Sequence, residues 1–523
     1  MFVWFSSGLV IMYAGPSALS AVEQLSGREL LEPASDWLTL GEVWRRSAAQ
    51  RHQIIADKVT HEGPELADRI GQARLVQQAS EPYWLVEDGA GNRFALSALN
   101  GNVHDTSPVE ATLIAARWAA NRTSVDSAAS HELIAARFLD TGPQDSSMRN
   151  QQALRPFHRI AVGEGTRELL ISARTGEVVR DSTRTQRVMY WVGNYLHLLR
   201  YLDTFKLGAI RNEVQTYLAL FAFTGSLTGL IIGWQRWRPR WRGLRQYGNR
   251  QHPYRNVWNT WHFWTGLIGG TAALLWSFSG LVSSNPGDII TSATPSKAEL
   301  LRYEGSTPTV MLDWSPDELS GIRAAKLVEL SWRHVDSSAV LVGLTREGEK
   351  LPRLTDGVQH IEQASILRAI ARLSGDTPVA SSVLQYNYDS YYYPRHGQGP
   401  ADKPLPVLKV DLSDKAATRF YIDPQDGRVL SRQDRSRRVY RWLYSALHHW
   451  DFGVFYQRPL WDVWMLIWVP MGIVLGGSAM VLGYRRLRLT ADNAKARAAY
   501  ARKTQLAADA TTQASVIGTS QPQ

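Results

Sequence analysis

Arg187–His197, RVMYWVGNYLH, and Arg438–His448, RVYRWLYSALH, align without a gap at an offset of 251 residues. They share Arg187/Arg438, Val188/Val439, Trp191/Trp442, Leu196/Leu447 and the terminal histidine. Each precedes a long apolar stretch, so the chain reads as an internal duplication in which the same segment twice leads towards a membrane. Apolar windows of about twenty residues, enough to cross a bilayer core, occur at Val214–Trp234, Trp258–Val282 and Trp461–Tyr484. The opening MFVWFSSGLVIMYAG is as apolar but shorter, and it lacks the basic start of a signal peptide. Its VWFSSGLV (Val3–Val10) matches LWSFSGLV (Leu275–Val282). The sequence therefore predicts a truncated first transmembrane helix, reflecting either a misassigned start or a short helix.

The net charge of +10 is concentrated beside the spans, which argues against nucleic acid as a partner. Arg236, Arg238, Arg240, Arg242, Arg245, Arg250 and Arg255 lie between two spans, and Arg485, Arg486 and Arg488 follow the last. Short basic loops stay on the cytoplasmic side. This places Ser17–Asn212 and Pro286–Leu460 outside and both chain ends inside. With no cysteine in the chain, disulfides, thiolate-held clusters and thiolate-ligated haem are excluded.

Outside the spans the patterning is α+β. Helices are expected at Ser17–Leu30 and Leu40–Ala56, and PYWLVEDGAGNRFALSALNG alternates and turns as a β-hairpin followed by a further turn. Ser107-Pro108 starts a helix through Ala120, and strands are expected at Phe157–Val162 and Glu168–Ala173. The second outer segment repeats this: RPFHRIAV (Arg155–Val162) parallels KPLPVLKV (Lys403–Val410) at an offset of 248, and RTGEVV (Arg174–Val179) parallels QDGRVL (Gln425–Leu430) at 251. Matching halves of equal topology imply a pseudo-two-fold axis along the membrane normal.

The expected architecture is an α-helical integral membrane protein with four transmembrane helices, the first truncated, and two outer α+β domains. Its parts are 1–16 (partial helix 1), 17–212 (outer domain 1), 213–234 (helix 2), 235–257 (basic cytoplasmic loop), 258–285 (helix 3), 286–460 (outer domain 2), 461–484 (helix 4) and 485–523 (a cytoplasmic tail with a short helix followed by disorder).

TWHFWTGLIGG (Thr260–Gly270), WSFSGLVSSNP (Trp276–Pro286), YIDPQDGRVL (Tyr421–Leu430) and DRSRRVYRWLYSALHHWDF (Asp434–Phe452) together resemble the PepSY-associated transmembrane family. The resemblance implies two periplasmic PepSY-like domains on a bacterial inner membrane. It also implies similarity to ferric-siderophore reductases that bind b-type haem, although many members have no assigned activity. The chain departs from the family pattern at its N-terminus, where most of helix 1 is missing.

Of thirteen histidines, His197, His262 and His448 are tied to spans by position, with His449 beside the last. Metal-binding groups at membrane depth are functional candidates by default. Under the pseudo-two-fold axis His197 and His448 fall at equivalent depth at the outer face and form a bis-imidazole set for low-spin haem. His262 lies near the cytoplasmic end of its span, and its symmetry partner falls upstream of Met1. One or two haem b groups are thus expected, all with histidine iron ligands. The alternative for a lone interfacial histidine is a hydrogen-bonded surface group; duplication at one register favours ligation.

Glycines at Gly225, Gly229 and Gly233, and at Gly472 and Gly476, open a helix face for a porphyrin or, equally, for close helix packing. In LQYNYDSYYYPRHGQGP, Tyr391, Tyr392, Tyr393, Arg395 and His396 are candidate contacts for an aromatic or anionic iron chelate, against strand packing as the alternative. No dinucleotide loop, Walker motif or H-E-x-x-H helix is present, so electrons would come from a quinone or a cytoplasmic reductase. The leading expectation is an inner-membrane haem electron-transfer protein that reduces a ferric siderophore or other ferric chelate. The alternative is a non-enzymatic scaffold whose outer domains bind or inhibit a periplasmic peptidase or assembly partner.

Overall fold

The computed structural model describes residues 1–14, 19–56, 64–123, 133–143, 148, 151–316, 326–352, 361–395 and 398–518. The chain forms two compact units. One contains Met1–Val10, Gly193–Ser284 and Gln457–Gln523, and the other Ile11–Val192 and Asn285–Tyr456.

Among the described residues, three helices of the first unit, not four, are long and apolar enough to cross a membrane: Gly208–Arg236, Val257–Ser283 and Arg458–Ala508. The fourth expected span, Phe2–Tyr13, has 12 residues and a length of about 18 Å at the α-helical rise, well short of the roughly 30 Å apolar thickness. It packs instead on the last helix. A Cβ at Gly472 would enter the ring of Phe5, and one at Gly476 would come within 2.8 Å of the Phe2 backbone. Phe5 also meets Trp276 edge-on at 5.4 Å. These two glycines therefore serve helix packing. By contrast, nothing lies within 4 Å of a Cβ built at Gly225 or Gly229.

The basic loop folds against its own helix ends. Arg242 sits 4.8 Å over the Trp234 ring and donates to the Trp234 and Trp237 carbonyls. The final helix continues without a break from Arg458 to Gly518, in place of the short tail helix expected.

The second unit holds fifteen strands among its described residues: β1 (Ile70–Gln78), β2 (Glu81–Asp88), β3 (Arg93–Ser97), β4 (Val103–His104), β5 (Ala136–Gly142), β6 (Phe157–Val162), β7 (Arg167–Ser172), β8 (Val178–Thr183), β9 (Leu327–Val335), β10 (Ser338–Thr345), β11 (Lys350–Pro352), β12 (Val379–Gln385), β13 (Val407–Leu412), β14 (Arg419–Ile422) and β15 (Val429–Gln433). The expected β2–β3 hairpin is present; Asp88 caps its turn by accepting from the Asn92 backbone at 2.7 Å, with Gly91 at φ +81°. Ser107 and Glu110 form a reciprocal cap on helix Pro108–Thr123. The first two helix expectations shorten to Ala21–Ser26 and split into Leu40–Arg46 and Ala48–Ala56.

The expectation of two separate outer domains is corrected by one sheet of seven strands, ordered β11-β10-β9-β1-β2-β3-β4. The β1, β2 and β3 starts recur 257 residues later at β9, β10 and β11. The two copies join through antiparallel β1–β9 pairing, with Leu75 opposite Leu330 and Ala73 opposite Trp332. Arg74 opposes Ser331, its own counterpart at that spacing, so a local dyad passes through this pair. Trp84, Leu75, Leu330 and Trp332, all buried, then share a single apolar core. Separated at the β1–β9 pair, a three-stranded and a four-stranded piece would each be left with an open edge beside these side chains.

Two four-stranded sheets complete the unit, ordered β5-β6-β7-β8 and β12-β13-β14-β15. Ala111, Ala115 and Trp118 of helix Pro108–Thr123 cover the first. Ile366, Ala369 and Ile370 of helix Gln363–Leu373 cover the second. His158 opposes Ile171 in one sheet and Leu408 opposes Ile422 in the other. The structural offset between β6 and β13 is therefore 250, not the 248 at which RPFHRIAV and KPLPVLKV align.

Candidate functional site

His197 follows a π-helical turn, Trp191–Tyr195, that winds this segment wider than an α-helix. Its backbone carbonyl accepts from Trp4 Nε1 at 3.0 Å, and its Nδ1 lies 3.1 Å from Ser7 Oγ. Ser7 donates its own proton to the Val3 carbonyl at 2.6 Å. The hydroxyl is therefore the acceptor, Nδ1 carries the proton, and Nε2 is the nitrogen with the lone pair. His197 keeps some exposed surface, yet burial of the ring pulls its pKa down to about 4 against a small opposing effect of the Trp4 backbone. The imidazole is neutral at physiological pH.

His262, on helix Val257–Ser283, repeats the arrangement. Its Nδ1 lies 3.1 Å from Ser478 Oγ, and Ser478 donates to the Leu475 carbonyl at 2.9 Å. Two histidines of the first unit thus share one tautomer, each fixed by a serine on another helix whose hydroxyl proton is already committed to its own backbone. Neutral imidazoles fixed through Nδ1 and donating through Nε2 are the donor set that haem iron takes. Nothing in the sequence around Ser7 or Ser478 sets these serines apart from others in apolar spans.

His448 and His449 belong to the second unit, at the end of a helical segment that again contains a π turn, Arg441–Ala446. Their rings are 5.3 Å apart; Tyr444 stacks on His448 at 5.2 Å and meets His449 edge-on at 5.3 Å. Tyr440 extends this row 5.0 Å from Tyr444. Burial raises the Tyr444 phenol to about 12, so it stays protonated.

The tyrosine-rich stretch does not form one exposed face. Tyr392 is fully buried, stacks on Tyr421 at 4.9 Å and donates to the Pro404 carbonyl. Tyr393 is buried and donates to Asp451. Tyr391 accepts from Trp442 Nε1 at 3.3 Å. Arg395 remains half-exposed, with Ser445 at 3.1 Å and Asp451 at 3.6 Å. His396 lies outside the described residues. Tyr392 and Tyr393 are thus packed inside the fold, and Arg395 keeps an accessible guanidinium.

A polar cleft in the second unit was not legible in the sequence, since its residues come from distant segments. About 260 Å³ in volume, it is lined by Gln24, Arg28, Gln72, Arg74, Gln151 and Glu177 among others. Arg74 pairs with Glu177 at 2.6 Å, and Arg28 pairs with Glu329. Burial works to raise the Glu177 pKa, but Arg74, Arg93 and Arg28 outweigh it and hold the carboxyl at about 2. Burial lowers Arg28 to about 9. Among the described residues, no cluster of three or more His, Asp and Glu side chains is placed to hold a metal ion.

Residues 96–313 match the family model described as the PepSY-associated TM region. No curated protein matches the chain. With three helices able to cross a bilayer, this is a membrane protein in contact with lipid, and the matched stretch carries the PepSY association.

Proposed function

We propose that the chain is an inner-membrane electron-transfer protein that carries one or two b-type haems and reduces a ferric chelate, such as a ferric siderophore, on the periplasmic side. The observation that supports this most is the shared geometry of His197 and His262: each Nδ1 is 3.1 Å from a serine hydroxyl that accepts its proton. Each ring then offers Nε2 in a fixed orientation, and little rotational freedom is left to lose on ligation. His197 and His262 would each hold iron through a ring nitrogen, with His448 and His449 as further ligands. When bound, haem with two imidazoles supplies one-electron chemistry without an open position for oxygen.

The protein's own part is to hold the rings of His197 and His262 oriented through Ser7 and Ser478. Arg395 offers positive charge to an anionic chelate. Ferrous iron is held less well than ferric by hard oxygen ligands, so a single delivered electron favours release. Electrons would come from a quinone or a cytoplasmic reductase. The orientation rests on the arginine-rich loop Arg236–Arg255, which favours the cytoplasmic side.

The test is the visible spectrum of the full-length chain purified in detergent from haem-replete cells. A bis-imidazole signal that H262A and H197A each diminish is expected. Folded, full-length protein with no haem sinks the reading. The scaffold alternative draws support from the amide-lined cleft at Gln24, Gln72 and Gln151, suited to the backbone of a bound peptide segment; haem-free protein that retains a periplasmic partner through this cleft would favour it.

A further inference from the structure

The repeated segments hold a second regularity that the histidines do not use. Arg184, Val188 and Trp191 are spaced i, i+4 and i+7, as are Arg435, Val439 and Trp442, which follow them at the offset of 251. Such spacing puts each set on one helix face. All six are exposed: Val188 by 55%, Trp191 by 54%, Val439 by 49% and Trp442 by 44%. Water gives no reason to keep a valine and a tryptophan aligned on a face twice over, and an exposed apolar stripe of this kind marks an interaction surface. Among the described residues, no carboxylate forms an ion pair with Arg184 or Arg435, although many other arginines in the chain are paired.

The chemistry of the stripe and its place in the chain identify the occupant. Tryptophan prefers the headgroup level of a bilayer. A helix with arginine beside an aromatic and aliphatic face lies in that layer, with its guanidinium on lipid phosphate. After each stripe further exposed apolar residues follow among polar ones, Phe205, Leu207 and Ile210 in one repeat and Val454 and Tyr456 in the other. It then enters a spanning helix at Gly208–Arg236 or Arg458–Ala508.

We propose that the two stripes are paired interfacial anchors that lie in the phospholipid headgroup layer, with Arg184 and Arg435 binding lipid phosphate. The anchors would fix the height at which each repeat meets the membrane, whatever cofactor the chain carries.

The chain has no cysteine, so V188C and V439C each create a unique labelling site. The full-length variants carry a nitroxide and are placed in nanodiscs of phosphatidylcholine and phosphatidylglycerol, with E164C, in an exposed turn, as an aqueous control. Both stripe labels should show severalfold higher accessibility to oxygen, relative to a water-soluble nickel chelate, than the control. Labels as open to the nickel chelate as E164C overturn the proposal. Labels shielded from both reagents also overturn it, because protein then covers the stripe. In a second arm, native mass spectra of R184Q/R435Q should show less retained phosphatidylglycerol than the parent; unchanged retention removes the phosphate-binding role.

Discussion

Ser7 accepts the Nδ1 proton of His197 across 3.1 Å while giving its own hydroxyl proton to the carbonyl of Val3. The pair joins the first helix of the chain to the repeated segment nearly two hundred residues later. Ser478 and His262 do the same between the last helix and Val257–Ser283. A serine in an apolar helix ordinarily back-bonds the carbonyl three or four residues earlier; here that bond fixes the direction in which the hydroxyl can accept.

Replacing either serine by alanine leaves the ring nitrogen without this acceptor and lets the imidazole turn. If the histidines hold haem, S7A and S478A should each weaken haem affinity about 10- to 100-fold, the usual effect of losing an outer-shell partner. S7T and S478T should recover most of it. Absorbance titration of haem into the purified apo chain measures both.

The glycines divide into two groups with opposite expected outcomes. At Gly476 an added methyl meets the Phe2 backbone at 2.8 Å, which cannot move aside as a flexible side chain can. G476A should destabilise the chain by about 1–3 kcal/mol, as overpacking does. At Gly225 and Gly229 nothing lies within 4 Å, so G225A and G229A should be neutral or, through helix propensity, slightly stabilising. Thermal unfolding in detergent separates the groups.

Local chemistry made much of this fold readable. Alternation and turn residues located β2, β3, β6 and β7, Ser107 located a helix start, and hydropathy located the three spans. What could not be read depends on partners far apart in sequence. IGQARLVQQ of β1 and LVELSWRHV of β9 have almost no residue identity, because burial constrains only their pattern, and so the shared seven-stranded sheet left no sequence signal. The alignment of RPFHRIAV with KPLPVLKV misplaces the β6/β13 register by two residues, since hydrogen bonding between strands sets that register. His197 and His448 stand out through their repeat and His262 through its place in a span, whereas Ser7 and Ser478 matter only through what folds against them.

Acid should loosen the second unit through Glu177. Its folded pKa of about 2 lies below the ordinary glutamate value of 4.5, held there by Arg74, Arg93 and Arg28. For a carboxyl so depressed, the stabilisation is complete above about pH 4.5 and is lost as pH falls towards 2. The difference corresponds to about 3 kcal/mol at most. E177Q should lower the melting temperature at pH 7, because Arg74 loses its closer partner and keeps only Glu329 at 3.8 Å. It should also flatten the fall in melting temperature between pH 5 and pH 3 (roughly the window in which the parent carboxyl begins to protonate). A variant with the parent's acid slope would assign that slope to other carboxyls.

The β1–β9 pairing makes the two halves of the chain dependent on each other. Leu75, Leu330 and Trp332 are all fully buried, yet they come from different repeats and meet across a single strand pair. Each half alone would keep a three- or four-strand piece of this sheet with an open edge and uncovered apolar side chains, a condition that promotes aggregation. Two autonomous outer domains would instead survive separation. Expressed singly, residues 1–256 and 257–523 should therefore be degraded or aggregate, whereas co-expression should recover a folded complex that copurifies. L330A, which opens a cavity at the dyad, should cost about 2–5 kcal/mol in the intact chain. In the split form it should abolish recovery, because no covalent link is left to offset the weakened pairing.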